Sequence, residues 1–406
     1  MNAFSSPRIA GLPLALVVLP LLLAGCALLG PREESPREPG VGPTVSWSEV
    51  PGWERGVQSG AWPALLRTCQ RLGSTPEWRA ICNEAEVHPE PSHAQARFFM
   101  RTRFLPRRMV NGEEDNRGLI TGYYVPLLEG SREPTDRYKY PLYRPPDDLL
   151  RISLESRFRS LSGKRVRGRI TRDRKVVPYY DRAQIEGPAE PLAGNELLWV
   201  DSRVDRFFLH IQGSGRVRLP DGEVVKVGYA DQNGHPYTSI GRILIERGEI
   251  PREEVSLPTI RQWLRENPGE VRSLLNENPS YVFFQIRDND LDGPLGSLGI
   301  PLTPRRSLAV DPDHIPLGYP VWMTTKLPEA DHGGGQRPFR RLTFAQDTGG
   351  AIRGPVRADL FTGQGVPGEW LAGRMKDGGR LFVLQPAWTY EPSGTRLAGE
   401  PNGPES

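Results

Sequence analysis

Three aspartates in the C-terminal third of this 406-residue chain are the side chains best suited to chemistry. Asp311 lies in SLAVDPDHIPLG, Asp347 in FAQDTGGAIRGP and Asp359 in VRADLFTGQG. Each follows a short apolar run typical of a strand and precedes residues typical of a turn. An aspartate at a strand end often accepts backbone N–H groups, so each acid taken singly also has a structural interpretation.

Taken together, the three acids indicate proton transfer. Clustered carboxylates beside apolar residues push one another's pKa values apart, and a carboxyl with a raised pKa can act as a general acid near neutral pH. Phe344, Ala345, Ala351 and Ile352 flank Asp347 and can desolvate it. The glycines that follow allow a bulky ligand to approach the main chain closely.

Other classes of site are disfavoured. The six histidines have no pair at helical metal spacing and no HExxH, so we expect no metal and no cofactor. The QGSGR segment lacks the GxSxG spacing of a serine nucleophile, and its GSG is a weak phosphate signal. A formal net charge of +3 without a basic stripe argues against nucleic acid. His210 alternates with apolar residues, which favours a hydrogen-bonded core histidine on a strand.

The elements that must position these acids are mostly strands. The chain has 44 Gly and 41 Pro, and the apolar runs between them have strand length. Since no regular βαβ alternation is present, we expect a mainly β fold built from barrels, with peripheral helices. A hairpin is predicted to turn at Asp221-Gly222. Helical patterns cover 62–85, 92–105, 236–248 and 257–278.

The N-terminus reads as an export signal. Its apolar run is short and is broken by Pro13 and Pro20, which suits a signal peptide over residues 1–25 better than a membrane span. LAGC resembles the lipobox of bacterial lipoproteins, in which Cys26 becomes the lipid-modified first residue; an ordinary secretory signal is the alternative. Ala27 follows Cys26 at the position where an aspartate would commonly imply retention in the inner membrane. The resemblance therefore points to the outer membrane.

The segments next to the signal and at the C-terminus are rich in proline and charge. We predict a lipidated cysteine and flexible tether over residues 26–46, and a disordered tail over residues 391–406. Cys69 and Cys82 are a disulfide candidate in an oxidising compartment, and two buried free thiols are the alternative.

AVDPDHIPLG and AQDTGGAIRGPVRADLF resemble the three-aspartate domain of the MltA family of membrane-bound lytic murein transglycosylases. LITGYYVPLLEGS, WVDSRVDRFFLHIQGSGRVRL and VGYADQNGHPYTSIGR resemble further family signatures in the expected order. The resemblance covers about residues 118–386. It implies a double-psi β-barrel catalytic domain over 47–124 and 281–390, with N-terminal helices. It also implies a smaller β-barrel domain inserted at 125–280, and a groove between the two domains for a glycan strand.

The implied reaction cleaves the β-1,4 bond between N-acetylmuramic acid and N-acetylglucosamine without consuming water, in cell-wall turnover and remodelling. It leaves a 1,6-anhydro ring. Asp347 matches the family's single catalytic acid, which protonates the glycosidic oxygen and then accepts the C6 hydroxyl proton. One acid suffices because the nucleophile is part of the substrate. Asp359 and Asp311 are expected to support it.

The resemblance also places residues in the glycan groove and implies partners. The predicted substrate-binding residues are Thr121, Gly122, Tyr123, Tyr124, Gln212, Gly213, Ser214, Thr348, Gly349 and Gly350. For Tyr123 and Tyr124, half-buried strand aromatics are the alternative. The expected partners are peptidoglycan strands and the membrane, through a lipid anchor, with other cell-wall enzymes as further candidates. The expected state is a monomeric outer-membrane lipoprotein facing the periplasm.

Two other functions fit the same residues. A hydrolytic muramidase or glucanase on the same barrel would need a second catalytic carboxylate. A non-catalytic, expansin-like glycan-binding module would need none. The products released from peptidoglycan distinguish a hydrolase from a lytic transglycosylase. Retained wall binding without any activity identifies the glycan-binding module.

Overall fold

The computed structural model describes residues 39–112, 116–154, 156–157, 166–287, 293–329 and 335–389. The predicted signal peptide, Cys26 and the predicted tail over 391–406 lie outside these residues. The helices are α1 Trp62–Leu72, α2 Pro76–Val87, α3 His93–Arg103, α4 Arg182–Ile185, α5 Arg203–Gln212, α6 Ile240–Glu246, α7 Leu257–Glu266, α8 Val271–Asn276 and α9 Gly365–Ala372. Short 3-10 turns cover Trp47–Glu49, Trp53–Arg55, Ser59–Ala61 and Ala387–Thr389.

Strands supply most of the regular structure, as the sequence predicts. They are β1 Gly40–Thr44, β2 Phe104–Val110, β3 Gly118–Val125, β4 Leu127–Ser131, β5 Tyr140–Tyr143, β6 Leu150–Ile152, β7 Val166–Ile170, β8 Val176–Pro178, β9 Glu196–Val200, β10 Ser214–Arg218, β11 Val224–Gln232, β12 Val282–Arg287, β13 Ser307–Val310, β14 Pro320–Pro328, β15 Gln336–Thr348, β16 Ala358–Gln364 and β17 Lys376–Pro386.

Six strands close into a barrel in the order β3-β16-β13-β15-β14-β17, with β17 pairing back onto β3. The pairs β13–β15 and β16–β3 are parallel, so each needs a crossover connection rather than a hairpin. Apolar side chains fill the interior, among them Ile120, Val310, Met323, Ala345 and Leu381. The mainly β fold with a closed barrel confirms the predicted fold class.

Helices α1 and α2 pack on the outside of this barrel. Trp62, Leu65 and Cys69 recur at helical spacing on the buried face of α1 and share a core with Phe344 of β15. Full burial of each such large apolar side chain contributes about 1.5–3 kcal/mol. The predicted disulfide is present and joins α1 to α2 through Cys69 and Cys82.

A second sheet has the strand order β12-β11-β10-β4-β9-β5, and a third, smaller sheet is β6-β7-β8. The β10–β11 hairpin turns at the predicted place, where Gly222 has a φ of 90°. Strand β12 pairs with β11, so Val282–Arg287 belongs to the second sheet. The predicted boundary at residue 280 therefore comes one strand too early, because an apolar run does not reveal which strand will pair with it.

Two local predictions need correction. Gly40–Thr44 pairs with β2, so the predicted tether over 26–46 extends too far; main-chain hydrogen bonds hold this strand without an apolar pattern. The helical pattern over 257–278 divides into α7 and α8, because Pro and Gly interrupt helices. The pattern over 62–85 forms two short helices that carry Cys69 and Cys82, as predicted. None of the helices in the described ranges is both long and apolar enough to cross a membrane.

His210 is a further correction. It lies on helix α5, which Ser202 caps at its N-terminus and Gly213 ends in a left-handed conformation. Its ring packs against Tyr281 and Phe284, and neither ring nitrogen has a hydrogen-bond partner among the described residues. Burial lowers the pKa of His210 well below its ordinary value, so the ring is neutral. The predicted strand position and hydrogen bond are both wrong.

Candidate active site

Asp347 lies near the end of β15, at one mouth of the barrel. The three residues before it are fully buried, whereas Asp347 itself is half-buried. Its Oδ1 accepts the N–H of Ser297 at 2.9 Å, the hydroxyl of Ser297 at 2.9 Å and the N–H of Thr348 at 2.9 Å. Its Oδ2 accepts the hydroxyl of Tyr123 at 2.8 Å.

This arrangement determines which oxygen can carry a proton. Three donors already surround Oδ1 of Asp347, so the proton of the neutral carboxyl belongs on Oδ2, where one hydroxyl is the neighbour. Burial raises the pKa of Asp347 above its ordinary value, against the opposing hydrogen bonds from Tyr123, Thr348 and Ser297. Asp347 is therefore suited to donate a proton from Oδ2.

Asp359 lies in the same row of the barrel wall. Ala309 of β13 pairs with Asp347 on one side and with Asp359 on the other, and Asp359 pairs in turn with Thr121 of β3. Two strand spacings put the two aspartate Cα atoms about 10 Å apart. Asp359 stands at the start of its strand, so the prediction that it follows an apolar strand is wrong.

The electrostatic setting of Asp359 differs from that of Asp347. Its Oδ1 accepts the Thr121 hydroxyl at 2.8 Å. Burial raises the pKa of Asp359 to about 6; nearby Arg357 and the Thr121 hydrogen bond lower it, and the charge of Asp347 raises it further. The two acids consequently influence each other's ionisation.

The hydrogen bonds of Asp311 indicate a structural role. It is 4% exposed, and its Oδ2 accepts the N–H of Gly354 at 2.7 Å while its Oδ1 accepts from the Arg353 guanidinium at 3.3 Å. Both donors belong to the loop that follows Asp347. Asp311 therefore holds this loop against the barrel, in line with a supporting role.

The two predicted groove tyrosines have different surroundings. Tyr123 packs against Phe361 with ring centroids 5.4 Å apart and directs its hydroxyl to Asp347. Burial and the charge of Asp347 raise the pKa of Tyr123 well above its ordinary value, so it stays a donor. Tyr124 is 1% exposed, so its ring cannot contact a ligand and its prediction as a sugar-binding side chain is wrong.

The remaining predicted groove residues lie on both sides of the junction between the barrel and the second sheet. The Gln212 side-chain oxygen accepts the N–H of Tyr124 at 3.0 Å, so the two motifs do meet. Gly213 ends α5 and Ser214 begins β10, both half-exposed. Of the others, Thr121 and Gly122 are half-exposed on β3, and Thr348, Gly349 and Gly350 are half-exposed or exposed at the end of β15.

Ser297 is the site residue that sequence reasoning missed. It gives Asp347 two hydrogen bonds from an exposed loop. The loop approaches β15 so closely that a Cβ at Gly296 would lie 2.3 Å from the carbonyl oxygen of Gln346, so only glycine fits there. A polar residue beside this glycine, in GPLGSLGIP, was the available signal.

Two family models match the chain. The MltA specific insert domain matches residues 119–285, and the 3D domain matches residues 306–385. The first match covers the second and third sheets together with β3, and the second covers the strands that carry the three aspartates.

Curated relatives and solved structures agree with these matches. The chain is 34% identical over 280 residues to membrane-bound lytic murein transglycosylase A of Vibrio cholerae serotype O1, covering 68% of each chain. It is also 34% identical over 281 residues to the Escherichia coli K12 protein of that name, covering 67% of each.

Among structures, a membrane-bound lytic murein transglycosylase from Agrobacterium tumefaciens superposes with a TM-score of 0.74 at 32% identity, covering 86% of this chain and 98% of the other. E. coli MltA with bound chitohexaose superposes with a TM-score of 0.64 at 27% identity, covering 87% of this chain and 95% of the other.

Proposed function

Since this chain belongs to the family of membrane-bound lytic murein transglycosylases A, we propose that it cleaves the β-1,4 bond between N-acetylmuramic acid and N-acetylglucosamine in peptidoglycan, leaving 1,6-anhydro ends. One observation carries the proposal. The half-buried carboxyl of Asp347 has a raised pKa and lies at the barrel mouth with one oxygen free of main-chain donors.

In the proposed reaction, neutral Asp347 donates the proton on Oδ2 to the glycosidic oxygen as the bond to C1 breaks. The carboxylate that results is stabilised by the donors from Ser297, Thr348 and Tyr123. It then accepts the proton of the muramic C6 hydroxyl, whose oxygen attacks C1 and closes the anhydro ring. Because the attacking hydroxyl belongs to the substrate, positioning supplies much of the rate.

Asp359 and Asp311 have supporting roles in this proposal. A charge on Asp347 raises the pKa of Asp359, so ionisation of one acid disfavours ionisation of the other. Asp311 holds the loop after Asp347 through Arg353 and Gly354.

The proposed glycan groove lies between the barrel and the second sheet, which we regard as a catalytic domain and an inserted domain. The Gln212–Tyr124 hydrogen bond joins the two at this place, and half-exposed Ser214 and Thr348 lie on opposite sides. The complex of the related E. coli MltA with chitohexaose supports our proposal that this chain binds sugars. With β12 in the second sheet, the proposed insert extends to about residue 287.

The proposed location is the periplasmic face of the outer membrane, through a lipid on Cys26. The names of the relatives support membrane attachment, and the LAGC sequence supports the cysteine. Cys26→Ala is expected to abolish fatty-acid labelling and to release the protein from the membrane fraction.

We propose that the protein is a monomer that acts on peptidoglycan, with other cell-wall enzymes as candidate partners. Light scattering of the released protein tests whether it is a monomer.

Mass analysis of digested peptidoglycan tests the reaction. The proposal expects muropeptides with anhydro ends. Reducing ends that carry an added water would instead identify a hydrolytic muramidase. Wall binding without any released product would identify a non-catalytic glycan-binding module.

A further inference from the structure

The residue before the proposed acid, Gln346, breaks the regular pairing of its strand. In the parallel pair of β13 with β15, Leu308 is opposite Ala345 and Ala309 is opposite Asp347, so Gln346 has no partner on β13. It is the extra residue of a β-bulge. Bulges are rare in parallel pairs, and next to active sites they reorient a side chain.

The side chain of Gln346 is fully buried and every polar group on it is bonded. Its Oε1 accepts the hydroxyl of Ser307 at 2.5 Å, and its Nε2 donates to the carbonyl of Ala64 at 2.8 Å and to the hydroxyl of Thr68 at 2.9 Å. Ala64 and Thr68 belong to α1, and Thr68 precedes disulfide-bonded Cys69. One amide thus ties the bulge to β13 and to an external helix.

The main chain of Gln346 holds the other side of the site. Its carbonyl oxygen accepts the N–H of Leu298 at 3.1 Å, which docks the loop that carries Ser297. A second residue of α1, Arg67, donates to the carbonyl of Leu302 at 3.2 Å and to the Thr303 hydroxyl at 3.1 Å, further along the same loop. Helix α1 therefore braces both segments that hold Asp347.

We infer that Gln346 is a positioning residue: its amide, anchored on α1, fixes the bulge that directs the Asp347 carboxyl and the Ser297 loop into the catalytic arrangement. This inference rests on the proposed function. Gln346 does not face the groove, so it acts on turnover through Asp347 and has no direct contact with the glycan. A displacement of about 1 Å in a reacting group can cost about 100-fold in rate.

The test compares Gln346→Met with Thr343→Val. Methionine keeps the length of the side chain and removes its hydrogen bonds. Thr343 lies on the same strand, is also fully buried, and donates to the carbonyl of Val321 at 2.7 Å, so its variant loses a buried hydrogen bond away from Asp347. Both variants are assayed on isolated peptidoglycan well below their melting temperatures.

We expect Gln346→Met to lower kcat by about 10- to 100-fold with KM changed less than about twofold, and Thr343→Val to leave both nearly unchanged. Gln346→Glu provides a second readout. Burial favours its neutral form, which can again donate to α1, so its kcat relative to wild type should rise as pH falls, while the ratio for Gln346→Met stays flat.

A Gln346→Met enzyme with wild-type kcat overturns the inference, as does a flat ratio for Gln346→Glu. If Gln346→Met does not fold, Ser307→Ala removes the donor to Oε1, together with the acceptor of the Thr303 N–H. An unchanged kcat in that variant also overturns the inference. Failure of the proposed function is recognised separately, because the wild-type protein would then release no anhydro ends.

Discussion

The ends of β13 and β15 are adjacent in the same sheet and carry similar sequences, yet their aspartates have different environments. Asp311 is buried, with a guanidinium at 3.3 Å and a main-chain N–H at 2.7 Å. Asp347 is half-buried, and its four donors are all neutral. The donors to Asp311 come from the loop after β15, whereas burial raises the pKa of Asp347 against its four hydrogen bonds. The comparison separates an acid that holds a loop from one that can release a proton.

The largest expected effect is at Asp347. Asp347→Asn keeps the shape and removes the proton donor, so we expect turnover to fall by about 10²–10⁴-fold. Binding to insoluble peptidoglycan should persist, as measured by co-sedimentation. Activity within a few-fold of wild type would remove the distinction between the two strand ends.

The donors to Asp347 come next. Tyr123→Phe and Ser297→Ala each remove hydrogen bonds that stabilise the carboxylate, each worth about 1.5–3 kcal/mol to a charged group, so kcat should fall by about 10- to 100-fold. Since these bonds lower the pKa of Asp347, their loss should raise that pKa. The alkaline limb of the pH–kcat profile, where the acid loses its proton, should then move to higher pH. A limb that stays in place or moves down would contradict this assignment.

Asp359 should give a smaller change in rate and a distinct pH signature. Asp359→Asn is expected to lower kcat by about tenfold and to remove an inflection near pH 6. The pKa of about 6 in the folded protein exceeds the ordinary value of 3.8, so the folded state binds this proton more tightly than the unfolded state does. The free energy of unfolding of the wild type should therefore fall as the pH rises between these two values. Thermal unfolding should therefore show that Asp359→Asn is more stable than wild type at pH 7.5. At pH 4 the two proteins should have the same stability.

The smallest effect on rate should be at Asp311. Asp311→Ala leaves the Gly354 N–H without its acceptor, and we expect the free energy of unfolding to fall by about 1–3 kcal/mol. Urea denaturation measures this loss. If kcat at low temperature fell as far as in Asp347→Asn, the two strand ends would be functionally alike and the comparison would fail.

Local patterns predicted much of the fold and part of the site. The glycine and proline content, the strand-length runs and the hairpin at Asp221-Gly222 led to a mainly β architecture, which the structure confirms. The motif around Asp347 led to the acid that the proposed reaction uses. His210 shows the limit of such patterns, since four alternating residues fit a strand but the capped segment from Arg203 to Gln212 forms a helix.

The site residues that the sequence analysis missed or assigned wrongly have one cause in common. Ser297 lies fifty positions before Asp347, and its polar side chain beside a glycine does not by itself show that the loop lies against β15. Tyr123 and Tyr124 are neighbours of the same type, and only the pairing of β3 decides that one hydroxyl reaches Asp347 while the other ring enters the core.

What the sequence determined by itself is the set of elements and the residue types that can carry a proton, because periodicity, turn residues and side-chain chemistry are local properties. What only the tertiary structure decided is which donors surround each of the three aspartates, which of the acids share a row of the barrel wall and where the Gln346 bulge lies. Those properties depend on groups brought together from distant parts of the chain, and pKa values respond to distance and burial, neither of which is written in the order of the residues.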